Sequence, residues 1–147
     1  AIQLSPSSVR AHNQVGQTYE ALNRLADAER EYRTAIELEQ SQTQKSEWPY
    51  YNLGLLCFRA GRMAESISYF RTALAYKPAF PEAEVKLALV LESQNQSGEA
   101  LKLLDQAIKE DPKYPEAHYR LALLLAKAGR QEEAERHFAL FRQYRSR

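Results

Sequence analysis

Four polar residues fall at matching places along the chain: Gln14, Asn52, Lys86 and Arg120, spaced by 38, 34 and 34 residues. Two amides, an ammonium and a guanidinium in one row can grip a peptide backbone or a carboxylate through charge-assisted hydrogen bonds. A neighbouring row holds Asn13, Tyr51, Val85 and Tyr119, and a third holds Gln17, Leu55, Leu89 and Leu123. Tyrosines and leucines so placed can hold apolar side chains of a ligand, although the leucines can equally pack helix against helix. Trp48, Phe58, Arg59 and Lys127 stand at the margins. The candidate binding set is therefore Asn13, Gln14, Gln17, Trp48, Tyr51, Asn52, Leu55, Arg59, Lys86, Leu89, Tyr119, Arg120 and Lys127.

Catalytic chemistry finds less to work with. Of the three histidines, His12 and His118 occupy one apolar-face position in separate copies of a repeat, where Tyr50 stands in another. They read as packed aromatic substitutes. No His-Glu-x-x-His, phosphate-cradling glycine loop or Gly-x-Ser-x-Gly element is present. The acidic stretch at Gln131, Glu132 and Glu133 opens a helix, where negative charge suits the dipole. Cys57, the single cysteine, excludes an internal disulfide and any cysteine-based metal site without choosing a compartment. No cofactor and no enzymatic activity are expected of this chain, and a catalytic domain would lie elsewhere in a longer parent.

Charge points the same way. The net charge is +1 over 147 residues, with Lys and Arg interleaved among Asp and Glu. A nucleic-acid partner would call for a basic stripe, so none is expected. The longest apolar run, Leu121 to Ala126, falls far short of the roughly 18 residues that span a bilayer, so no membrane insertion is expected. A protein or peptide partner remains.

The elements that would position these rows follow from periodicity. Pro78 and Pro112 end equivalent segments 34 residues apart, and Leu53, Leu87 and Leu121 keep the same step. Such a period marks a repeat architecture. Tyr50, Leu53, Gly54 and Cys57 give the i, i+3, i+4, i+7 face of one helix, and Ile67, Phe70, Ala73 and Leu74 the face of the next. Asn23, Gly61, Asn95 and Gly129 tolerate the left-handed backbone of a helix C-terminus. Pro81 and Pro115 suit helix starts, and Ser97 can cap a helix. Small residues recur in rows: Gly16, Gly54, Ala88, Ala122; Ala28, Ser66, Ala100, Ala134; Ala35, Ala73, Ala107. Large ones at Tyr32, Phe70, Leu104 and Phe138 fill the space between. Eight helices in four antiparallel pairs are expected, an all-α solenoid of stacked pairs.

The pattern resembles the tetratricopeptide repeat. Residues 47–80 carry it best, with Tyr50, Leu53-Gly54, Phe70, Ala73 and Pro78, and Ser66 in place of the first alanine. The resemblance implies a right-handed superhelix whose first helices line a concave groove, and a scaffold or adaptor function. It gives four helix pairs at 9–42, 47–80, 81–114 and 115–147, forming one domain. Adjacent pairs repeat at roughly 10 Å and an extended peptide advances about 3.3 Å per residue, so a row can meet every third ligand residue. The family's chaperone-tail clamp is matched only by Asn52 and Lys86, so a strict clamp is not implied.

Three departures stand out. Gln40 replaces a terminal proline, and residues 43–46 are inserted after it, so the second helix is expected to run long, from about Ala26 to Gln44. Ser46 can then cap the third helix, with Pro49 in its first turn. Phe141 replaces the docking alanine, which predicts a last helix with Phe141 and Tyr144 exposed, or covered in a longer chain or a homo-oligomer. Residues 1–8 read as the tail of a preceding repeat, with Ala1 and Pro6 aligned on Ala73 and Pro78; on that basis the face of Val9 to Leu22 was once covered. Two functions follow: an interaction scaffold binding an extended peptide or protein surface, or the substrate-recruiting or dimerising region of a larger enzyme.

Overall fold

The computed structural model describes residues 8–41 and 45–146. Of the expected tail at 1–8 only Ser8 is described, and residues 43 and 44 of the insertion at 43–46 lie outside the described residues. The described residues form eight helices: α1 Val9–Ala21, α2 Leu25–Ser41, α3 Trp48–Arg59, α4 Met63–Tyr76, α5 Pro81–Ser93, α6 Ser97–Glu110, α7 Pro115–Lys127 and α8 Gln131–Arg145. They fall into two compact units, residues 1–77 and 78–147. Each unit stacks two helical hairpins, α1–α2 on α3–α4 and α5–α6 on α7–α8.

One turn is used in all four hairpins. Asn23, Gly61, Asn95 and Gly129 all adopt positive φ, between 59° and 82°. The following amide in each case reaches back to the helix it has left: Arg24 to Tyr19, Arg62 to Cys57, Gln96 to Leu91 and Arg130 to Leu125, at 2.8–2.9 Å. This six-to-one bond satisfies a carbonyl that the helix end would orphan. The same incoming residue then starts the second helix, and where it is arginine it pairs with an acid three residues on: Arg24 with Asp27, Arg62 with Glu65, Arg130 with Glu133. Such exposed pairs contribute little individually.

The small-residue rows are buried throughout. Ser66 donates its hydroxyl to the Gly54 carbonyl at 2.7 Å, which draws α4 onto α3. Ala28, Tyr32, Leu53 and Leu56 make a core across the two hairpins of the first unit. Ala35, Ala73 and Ala107 have no exposed surface. Ala107→Leu therefore has no room to expand, and is expected to lower stability by about 1–2 kcal/mol, read as a lower melting temperature.

Three local expectations are revised. Pro81 and Pro115 do open α5 and α7, but Ser97 is the first residue of α6 and caps nothing, because Gln96 takes the cap position. Ser46 sits one residue before the cap of α3, and its hydroxyl accepts from the Trp48 amide at 3.3 Å. Phe141 and Tyr144 are half-buried rather than exposed. The Phe141 ring packs on Tyr119 at 5.0 Å, Arg145 lies over it at 5.2 Å, and Tyr144 meets His118. The bulk at Phe141 is absorbed within its own hairpin. The second helix starts at Leu25 and is longer than α4 and α6, 17 residues against 14, and its expected end at Gln44 lies outside the described residues.

Candidate functional site

In the first unit, α1 and α3 present their N-terminal turns to a shared concavity of about 610 Å³. Ser8, Val9, Arg10, Asn13, Gln14 and Gln17 line it from the α1 side, and Lys45, Ser46 and Trp48 from the α3 side. Ser8 caps α1 by accepting from the Ala11 amide, which fixes the turn that carries Arg10 and Asn13. Four predicted residues, Asn13, Gln14, Gln17 and Trp48, therefore share one wall system. Among the described residues no carboxylate lines it. Gln14 and Gln17 are exposed, and Trp48 keeps 40% of its surface open.

Asn52 behaves differently from its sequence expectation. It is 5% exposed, and its amide donates to the Asn13 side chain at 3.0 Å. It holds Asn13 in place more than it faces outward. Tyr51 is half-buried, edge-on to Trp48 at 5.7 Å and tilted on Phe70 at 5.8 Å. Leu55 is half-buried. Arg59 bonds to Glu20 at 3.1 Å, and Glu20 in turn accepts from the buried Tyr32 hydroxyl.

In the second unit Lys86 is ion-paired with Glu116 at 2.9 Å, so Glu116 competes for any charge Lys86 would offer. Arg120 lies over the Tyr119 ring at 5.6 Å, and its buried Nε has no hydrogen-bond partner. Leu89 is half-buried and Lys127 exposed.

Sequence reasoning missed Arg10 and Lys45 as lining residues. Neither belongs to a repeated row, and Lys45 sits in the insertion. It also missed a polar position inside every hairpin. His12, Tyr50, Glu84 and His118 share one register, and each meets a polar partner. His12 bonds to Glu31 through Nδ1. Tyr50 donates to Glu39 at 2.6 Å and its hydroxyl lies 3.2 Å from that of Tyr76. Glu84 faces Glu110. His118 donates from Nε2 to the Pro112 carbonyl at 2.7 Å, leaving Nδ1 to accept from His137 at 2.9 Å. The expectation of packed aromatic substitutes covers the burial of His118, 2% exposed, but not these bonds.

Glu39 is the most constrained of these groups. It is 1% exposed, yet accepts from Tyr50 and Tyr76, each at 2.6 Å, and from Lys45 at 3.2 Å. Burial alone would favour the neutral acid; the two phenols and the ammonium outweigh it and hold the carboxyl below its ordinary range. Burial, then Glu39, pushes the Tyr50 phenol up. Burial, then the neighbouring His118, pushes His137 down.

Repeated hairpins with one turn type and a lined concavity on their first helices define a helical-repeat protein. The tetratricopeptide repeat family matches residues 9–42, 49–80 and 85–145, and the chain belongs to that family. It is 33% identical over 102 residues to a probable biofilm formation methyltransferase, WspC, of Pseudomonas putida, a match covering 67% of this chain and 24% of that protein. Solved structures share the fold. MamA superposes with a TM-score of 0.82 at 23% identity, over 97% of this chain and 81% of its own. YrrB, described as a TPR protein with an unusual peptide-binding site, gives 0.75 at 17%, over 94% and 69%.

Proposed function

We propose that this chain is a protein-interaction module that takes an extended peptide against α1 and α3 of its first unit. The observation that carries this is the concavity itself: two exposed glutamine amides, Arg10 and a half-open tryptophan converge on it and, among the described residues, no carboxylate does. Amides suit peptide backbone, the cations suit acidic side chains, and Trp48 offers an apolar face. The peptide-binding description of YrrB supports the class of ligand.

Trp48 is the sole tryptophan, so its fluorescence reports on this wall alone. Titration with an array of acidic and basic extended peptides is expected to shift the emission for acidic members. Arg10→Ala with Gln17→Ala should weaken that binding by about tenfold, on the order of one charge-assisted hydrogen bond, with helical circular dichroism unchanged. Equal binding by the double variant would remove this wall from the site.

A second function is favoured by the match to WspC, of which the chain spans about a quarter: a recruiting region within a larger enzyme. Deleting the equivalent segment from such an enzyme would then raise KM for a protein substrate and leave kcat intact. A fall in kcat with unchanged KM would count against it.

A further inference from the structure

In each of the last three hairpins the same two positions meet. The second pair brings Tyr50 and Tyr76 together, hydroxyl to hydroxyl at 3.2 Å. The fourth brings His118 and Tyr144 together, ring centroids 5.6 Å apart. In both, a proton donor is available by residue type. The third pair places Glu84 and Glu110 there, two groups that are acceptors only when ionised.

The geometry around them is short of donors. Glu84 is 1% exposed. Its Oε1 accepts from the Phe80 amide at 3.2 Å, a reach back over the start of α5. Its Oε2 and the Oε2 of Glu110 are both buried and have no partner. On α5 the further charge beside Glu84 is Glu82, another acid. On α7, Glu116 carries charge, and it is bonded to Lys86 of α5. From α6 the group that faces it is Glu110 itself. Gln106 of α6 donates to Glu110 at 2.8 Å but through the other oxygen, Oε1. Among the described residues no group of three or more metal-ligating side chains forms, so a bound cation has too few ligands here.

We propose that Glu84 and Glu110 share one proton in the folded protein, and that losing it opens the end of the α5–α6 hairpin where they meet. The proton supplies the missing donor and keeps two buried charges from facing each other. The turn that joins α5 to α6 lies at the opposite end of the hairpin, at Asn95.

The sign follows from the direction of the shift. Burial, then Glu110, pushes the Glu84 carboxyl up to about 8. A group raised on folding contributes fully below its unfolded value, near 4.3 for glutamate, and loses that contribution as pH rises through the folded value. The latch is closed in mild acid and released above about pH 8. His137 acts in the opposite sense in the neighbouring hairpin, since a lowered histidine favours folding at higher pH.

Amide hydrogen exchange on the full chain, corrected for the intrinsic pH dependence of exchange, tests this. Between pH 6 and pH 9, protection of the last turn of α6, Ala107 to Glu110, is expected to fall at least tenfold. The last turn of α7 should hold. Glu84→Gln supplies a permanent donor, so its protection should stay level across that range. Glu84→Tyr, which restores the residue type of Tyr50, is the second variant should the amide fail to fold. Equal loss of protection in wild type and in a folded variant overturns the proposal. So does a carboxyl NMR titration that places both glutamates at their ordinary value.

Discussion

Glu39→Ala should destabilise the first unit by about 3–4 kcal/mol. Glu39 is 1% exposed and accepts three hydrogen bonds. Each bond to a charged group contributes roughly 1.5–3 kcal/mol, and the truncation also leaves a cavity. Two terms reduce the loss. Lys45 is largely exposed and returns to water, and the Tyr50 and Tyr76 hydroxyls already lie 3.2 Å apart and can bond to each other. For a chain of 147 residues the expected fall in melting temperature is about 6–15 °C at neutral pH. The difference between wild type and variant should shrink in acid. Glu39 has a lowered folded value, so its contribution is present above the unfolded value, near 4.3, and is lost as pH falls through the folded one. Tyr50→Phe removes one donor and should cost about 1–2 kcal/mol. A Glu39→Ala melt indistinguishable from wild type at neutral pH would mean the network contributes nothing.

The same network shows where sequence stops being legible. Helix pairing, the left-handed residues Asn23, Gly61, Asn95 and Gly129, and the small-residue rows were all readable, because each recurs with the period and one copy checks another. Glu39 has no counterpart to check it. It depends on α2 continuing beyond the length of α4 and α6, and on Lys45 from the insertion folding back over it. Glu84 was passed over for the opposite reason. It sits in the row of His12, Tyr50 and His118, but its carboxyl breaks the aromatic pattern by which that row was recognised. In the candidate groove, register put Asn13, Gln14 and Gln17 in three neighbouring rows and left Trp48 at the margin. Register could not show that Asn52 turns inward to Asn13, or that Lys86 is bonded to Glu116. Those outcomes depend on side-chain reach and on neighbours from other rows. Arg10 and Lys45 lie off the rows, so nothing periodic marks them.

Gly54→Val should cost about 3 kcal/mol, and its partial rescue would test the packing rule of the hairpins. A Cβ at Gly54 would lie 2.7 Å from a ring carbon of Phe70, which has no exposed surface. Gly16 faces Tyr32 in the same way, at 2.5 Å. In these two hairpins the glycine is needed for close approach to a buried aromatic, not for backbone freedom, since both glycines are inside helices. Valine adds three carbons to a filled space, where overpacking typically costs about 1–3 kcal/mol and occasionally more. The third hairpin solves the problem with Ala88 and Leu104, a larger small residue opposite a smaller large one, both buried. The fourth keeps Ala122 with Phe138, and there Phe138 is half-buried rather than buried. The rule predicts a coupling. Gly54→Ala alone gains about 1 kcal/mol of helix propensity but meets the Phe70 ring. Phe70→Leu alone leaves a void beside Gly54. Together they recreate the Ala88–Leu104 arrangement and should be more stable than the sum of the single changes by about 1 kcal/mol. Chemical denaturation of the four proteins in that cycle measures the term directly. A coupling of zero would show that the α3–α4 approach is set elsewhere, for instance by the Ser66 bond to the Gly54 carbonyl.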